Sequence, residues 1–154
     1  HVIACARSFA LPFLRAQMCA GTLLPEGGRA FVSVNDQDKS DAMADAVAGL
    51  IGLGFEIVAT RGTAAWLAAK GVNVRPVLKV YEGRPNIVDM LKNDEIALVM
   101  NTTDSTQAVS DSRDIRRAAL MDKIPYFTTA AASIAVVQAM KARGEGYGVR
   151  TLQG

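Results

Sequence analysis

Thr60-Arg61-Gly62-Thr63 is the stretch of this chain best suited to hold an anion. It follows an apolar run (Phe55, Ile57, Val58, Ala59) and leads at once into a helical pattern (Ala64, Ala65, Leu67, Ala68), so it reads as the turn between a strand and a helix. The first N–H groups of a helix have no partner within it and carry the positive end of its dipole. Gly62 allows the backbone to approach a ligand closely, and two threonine hydroxyls flank it. A phosphate or a carboxylate is the guest such a turn accepts. Taken alone, a threonine N-cap followed by a glycine turn accounts for the same residues equally well.

Other polar residues fall at comparable places. Ser33, Asn35 and Lys39 end or follow an apolar strand predicted over 30–35. Lys79 ends a strand predicted over 74–80, and Asn101, Thr102 and Thr103 follow a continuous apolar strand over 96–100. Lys39 opens a helix, where its charge opposes the dipole unless an anion is near. Singly, Lys79 fits a surface lysine and Asn101-Thr102-Thr103 a helix cap. Together, four strand ends bring two lysines, several hydroxyls and an amide to one rim. In parallel sheets that rim, near the switch in strand order, is where ligands gather.

The elements that must position these residues alternate. A helix follows 36–39 and runs to about Leu53, with Met43, Ala46, Val47, Leu50 and Ile51 on one face; Gly54 ends it. The helix from Ala64 closes at Lys70-Gly71. After the loop 81–86 comes a short helix through Leu91-Lys92, then a charged helix over about 112–123. A short strand over 126–129 and an alanine-rich helix over 130–143 complete the pattern. Strands and helices joined by short links predict an α/β domain, a parallel sheet covered on both faces. Trp66 reads as packing or surface cover, and Asp111 to Arg117 as a solvated helix face.

With 154 residues, half of them hydrophobic and 21% charged, the chain suits one soluble domain with a real core. A net charge of +2 and no Lys/Arg cluster interleaved with aromatics argue against a nucleic-acid partner. Cys5 and Cys19 are too few for a zinc site or a disulfide framework and suit a reducing cytosol. The one histidine is His1, native or a tag remnant, so a histidine base has only the terminus to draw on. No apolar run reaches the roughly 20 residues of a membrane span. A cytoplasmic protein without a membrane partner is expected.

Three stretches resemble one family: SVNDQDK (33–39), ATRGTA (59–64) with YEGRPNI (81–87), and NTTDSTQAVSDSRDIRRAAL (101–120). They are similar to the C-terminal allosteric domain of the large subunit of carbamoyl phosphate synthetase, a methylglyoxal-synthase-like domain. The resemblance implies a three-layer Rossmann-like fold with five parallel strands. It also implies a division into the end of a preceding ATP-grasp region (1–21, with FALPFLRAQMCAG), a linker (22–29), the domain proper (30–143) and a tail (144–154); three glycines in the first five residues of that tail predict a loose segment until Val149.

Bacterial members of that family are inhibited by uridine monophosphate (UMP) and activated by inosine monophosphate (IMP). Carried over by position, Lys39, Thr60 and Thr63, with Gly62 in their turn, would hold the phosphate. Lys79, Asn101, Thr102 and Thr103 would contact ribose, base or phosphate, and Ser33 would line the floor. The chain departs from the usual pattern at Asp104-Ser105-Thr106, where many members carry Gly or Arg. The implied partners are a nucleotide monophosphate or phosphate, the remainder of the large subunit and a glutaminase small subunit. No cofactor is implied in the domain itself; ATP and Mg or Mn belong to the parent ligase. A phosphate-binding lyase of methylglyoxal synthase type is the alternative. That chemistry needs a carboxylate base near the acidic C–H, and Glu82-Gly83-Arg84-Pro85-Asn86 supplies no aspartate in the corresponding loop.

Overall fold

Alternation of side chains along three central strands decides the layers. The computed structural model describes residues 24–103 and 108–153. In β1 (Gly28–Ser33) and just beyond it, Ala30, Val32 and Val34 face one side and Phe31 the other. In β2 (Phe55–Thr60), Phe55 and Ile57 face the first side and Val58 the second; in β4 (Leu98–Asn101), Leu98 and Met100 oppose Val99. The two-residue period of a strand therefore feeds two separate cores. All strands pair in parallel, in the order β3-β2-β1-β4-β5, with β3 at Arg75–Val77 and β5 at Tyr126–Phe127.

Helices cover both faces. The first core is closed by α1 (Asp41–Gly52), α2 (Arg61–Ala69) and α5 (Ala130–Gln153), with Met43, Val47, Leu50, Leu67, Val136 and Met140 buried there. Trp66 packs half-buried against it. The second core is closed by α3 (Ile87–Lys92) and α4 (Ala108–Met121) through Ile87, Leu91, Ile115 and Ala119. The protein is a three-layer α/β domain with a five-stranded parallel sheet, as the sequence predicts. The chain runs outward from β1 to β2 and β3, then returns to the other side of β1 as β4. The switch point lies between β1 and β4.

Several boundaries differ from expectation. Strand β1 begins at Gly28, inside the predicted linker, because Gly28 and Arg29 pair with Phe55 and Glu56. Leu24, also in that linker, is 4% exposed within the first core, and Arg143 donates to the Leu24 and Pro25 carbonyls at 3.2 and 3.1 Å. Strand β3 is only three residues long, since it lies at the sheet edge with one neighbour. Lys79 is therefore not in a strand; it precedes a 3₁₀ turn, Val80–Glu82. Strand β5 stops at Phe127, and α4 starts at Ala108 rather than 112. Helix α5 continues to Gln153, so the expected loose tail is helical: its glycines weaken a helix but, unlike proline, keep their N–H donors. The predicted helix near 8–20, both cysteines and Asp104-Ser105-Thr106 lie outside the described residues.

Candidate functional site

The exits of β1 and β2 frame a cavity of about 330 Å³. Lys39, Thr60, Gly62, Thr63, Lys79 and Thr103, all predicted from sequence, line it, together with Val34, Asn35 and Asp36. Thr60 ends β2 and occupies the N-cap position of α2, yet its side chain makes no capping hydrogen bond. The cap-only account of this turn thus does not describe it. Among the described residues the first amides of α2 have no side-chain acceptor, which is the condition under which a helix start can accept an anion.

The threonine hydroxyls are instead arranged as a relay. Ser33 Oγ lies 3.4 Å from Thr60 Oγ1, and Thr60 Oγ1 donates to Thr63 Oγ1 at 3.0 Å. The Val34 N–H also donates to Thr63 Oγ1, at 3.0 Å. A hydroxyl has two lone pairs and one proton. With both lone pairs of Thr63 occupied, its own O–H is left as a donor without an acceptor among the described residues. Thr63 is 2% exposed and lines the cavity. A buried donor of this kind is costly to leave unpaired, and an acceptor placed in the cavity would satisfy it.

Two lysines supply charge. Lys39 lies between the 3₁₀ turn Asp36–Asp38 and Ser40, the N-cap of α1, so it precedes that helix rather than opening it. Its Nζ donates to Asp36 at 2.7 Å, and that hydrogen bond holds the Asp36 carboxyl below the usual carboxylate range. The Asp36 side chain is 95% exposed. It is therefore free to turn into water when a better-placed anion takes the ammonium. On the opposite side, Lys79 Nζ lies 5.9 Å from the centre of the Tyr81 ring.

Glu82 fixes that side to the Thr60–Thr63 turn. Its carboxylate accepts the Lys79 N–H at 2.8 Å and pairs with Arg61, the first residue of α2. The hydrogen bond from Arg61, then that from the Lys79 amide, lowers its pKa. Asp89 is held low in the same way, first by Arg84 and then by the Asn86 amide.

Three predicted residues sit behind the wall. Ser33 is 2% exposed beneath Thr60. Thr102 stitches the exits of β1 and β4: its Oγ1 accepts the Asn35 N–H, its carbonyl accepts from Asn35 Nδ2 at 2.7 Å, and its N–H donates to the Ser33 carbonyl. Asn101 is fully used internally. Its amide donates to Ser112 and Tyr126, and its carbonyl oxygen accepts the Thr103 N–H and hydroxyl. It positions Thr103 instead of facing the cavity.

Over residues 42–128 the chain matches the profile of the MGS-like domain family. The chain belongs to that family. Among curated relatives, the carbamoyl phosphate synthase large chain of Pseudomonas putida is 50% identical over 92% of this chain, and that of Mesorhizobium japonicum 47% identical over 99%. The same protein of Pseudomonas syringae pv. tomato is 51% identical over 92%. This MGS-like domain spans only 13% of the length of each. Among the described residues, no group of His, Cys, Asp and Glu could hold a metal ion, and no helix is long and apolar enough to cross a membrane.

The MGS-like domain also uses residues that site prediction passed over. Asp36 and Val34 enter the cavity because β1 ends two residues earlier than expected, at Ser33, and the chain then turns across the rim. Glu82 and Arg61 are invisible as a pair in sequence, being 21 residues apart.

Proposed function

We propose that this MGS-like domain is the effector-binding, regulatory part of a carbamoyl phosphate synthetase large subunit, taking a nucleoside monophosphate of the UMP or IMP type. One observation carries the reading: the uncapped start of α2, the Thr63 hydroxyl whose proton has no acceptor among the described residues, Lys39 and Lys79 all border one cavity. Its donors and positive charge suit a phosphate. Its volume of about 330 Å³ exceeds roughly tenfold the share of a single liquid water, so room remains for a sugar and base.

The domain acts by binding and not by catalysis. A general base works best with a pKa near the operating pH. Asp36, which lines the cavity, and Glu82, which is bonded to the Lys79 N–H and to Arg61 beside it, are each held low by a cationic partner. The ATP and Mg²⁺ or Mn²⁺ chemistry belongs to the rest of the synthetase, with a glutaminase subunit as its partner. Each effector tunes the enzyme by preferring one of its global states, typically by about 1–3 kcal/mol.

Calorimetric titration of the chain with UMP and IMP, with inorganic phosphate as control, tests the reading. Saturable nucleotide binding is expected. Lys39→Ala removes a charge-assisted hydrogen bond worth about 1.5–3 kcal/mol, so affinity falls roughly 10- to 100-fold. Turnover of dihydroxyacetone phosphate, or nucleotide affinity unchanged in Lys39→Ala, would contradict it.

A further inference from the structure

The following rests on the nucleotide-binding reading and deepens it. We propose that Tyr81 is the specificity-determining residue of the site, its ring stacking on the planar heterocycle of a nucleoside monophosphate whose phosphate lies at the start of α2.

Tyr81 is 65% exposed, the one aromatic among the large hydrophobic side chains described as exposed. The ring sits beside the cavity through Lys79, a residue that lines the cavity and whose Nζ lies 5.9 Å from the ring centre. An aromatic face that attracts a cation is a face suited to a planar ring. An anion in the cavity competes for Lys79, and the heterocycle then covers the face that the ammonium leaves.

The ring is also held on fixed backbone. Val80–Glu82 is a 3₁₀ turn, and Glu82 ties it both to the Lys79 N–H and to Arg61 at the start of α2. The shelf and the anion turn are thus parts of one clamped unit. Base–aromatic stacking tolerates any base because each has a π-face. Tyr81 therefore selects a nucleotide over a simple sugar phosphate, and does not choose between purine and pyrimidine.

The test titrates the 154-residue chain and its Tyr81→Phe and Tyr81→Ala variants with IMP, ribose 5-phosphate and inorganic phosphate. Tyr81→Ala is expected to bind IMP about tenfold more weakly, on the scale of one lost stacking contact. Ribose 5-phosphate and phosphate affinities stay as they were, and Tyr81→Phe keeps full IMP affinity. Unchanged IMP binding in Tyr81→Ala overturns the inference. So does an equal loss for all three ligands, which would place Tyr81 in support of Lys79 alone. If the unsubstituted chain binds no IMP, the nucleotide reading itself falls, and this inference with it.

Discussion

Gly62 shows how one residue separates folding from binding. A Cβ built on it meets nothing within 4 Å, although the residue lies in the first turn of α2 and borders the cavity. The fold does not need glycine there, because no neighbouring atom occupies the space. Alanine is the better helix former, by up to about 1 kcal/mol in a helix interior. Gly62→Ala should leave the thermal midpoint unchanged or slightly raised, yet weaken phosphate and nucleotide binding several-fold by filling ligand space. Differential scanning fluorimetry and titration of the same sample check both halves. Intact affinity would mean that the ligand does not approach the backbone at this turn.

The short helix α3 depends on its cap. Asn86 accepts the Val88 and Asp89 N–H groups, donates to the Gly83 carbonyl at 2.9 Å, and has its own N–H held by Asp89 at 2.8 Å. That capping box closes a six-residue helix whose Ile87, Met90 and Leu91 fill the second core. Asn86→Ala should cost about 1–2 kcal/mol, measured by urea unfolding, since it strands several buried or half-buried backbone groups at once. Because the loop from Lys79 to Asn86 joins this helix to the site, the same variant should lower nucleotide affinity. A cost within about 0.5 kcal/mol, the range of an ordinary surface substitution, would show that packing alone holds α3.

Four carboxylates spread across the described residues are held below their ordinary pKa values by cationic partners. Asp36 is lowered by Lys39, Asp41 by Lys70, Glu82 first by Arg61, and Asp89 first by Arg84. A carboxylate lowered on folding stabilises the protein at pH values above its unfolded pKa, and that contribution disappears as pH falls through the folded value. Stability should therefore be flat from pH 7 to about 5 and decline below about 4, the ordinary carboxylate range. The Asp36 and Asp41 carboxylates are exposed, and their pairs contribute little each. Glu82 and Asp89, whose side chains are only 15% and 16% exposed, are the exceptions. Thermal midpoints across pH should show Glu82→Gln less stable at neutrality and with a shallower acid decline. An identical acid slope would remove Glu82 from the account.

How much could be read without coordinates follows from the range of each interaction. The alternating layers, the strand–turn–helix at Thr60–Thr63 and the gathering of polar residues at strand ends rest on local periodicity and on a topological rule for parallel sheets. They were legible because each depends on a few neighbouring residues. Strand ends were less so: β1 reaches back to Gly28 only because Phe55 and Glu56 lie beside it. Likewise α5 holds the linker through Arg143, across 119 residues.

Site roles also divided this way. Residue type marked Lys39, Thr63, Asn101 and Thr102 as candidates, but only the folded contacts separate them. Thr63 lines the cavity with a donor that has no acceptor among the described residues, while Asn101 and Thr102 spend their hydrogen bonds on the rim itself. A sequence lists donors and acceptors; tertiary structure decides which of them are already satisfied. What remains unsatisfied is what a ligand can use.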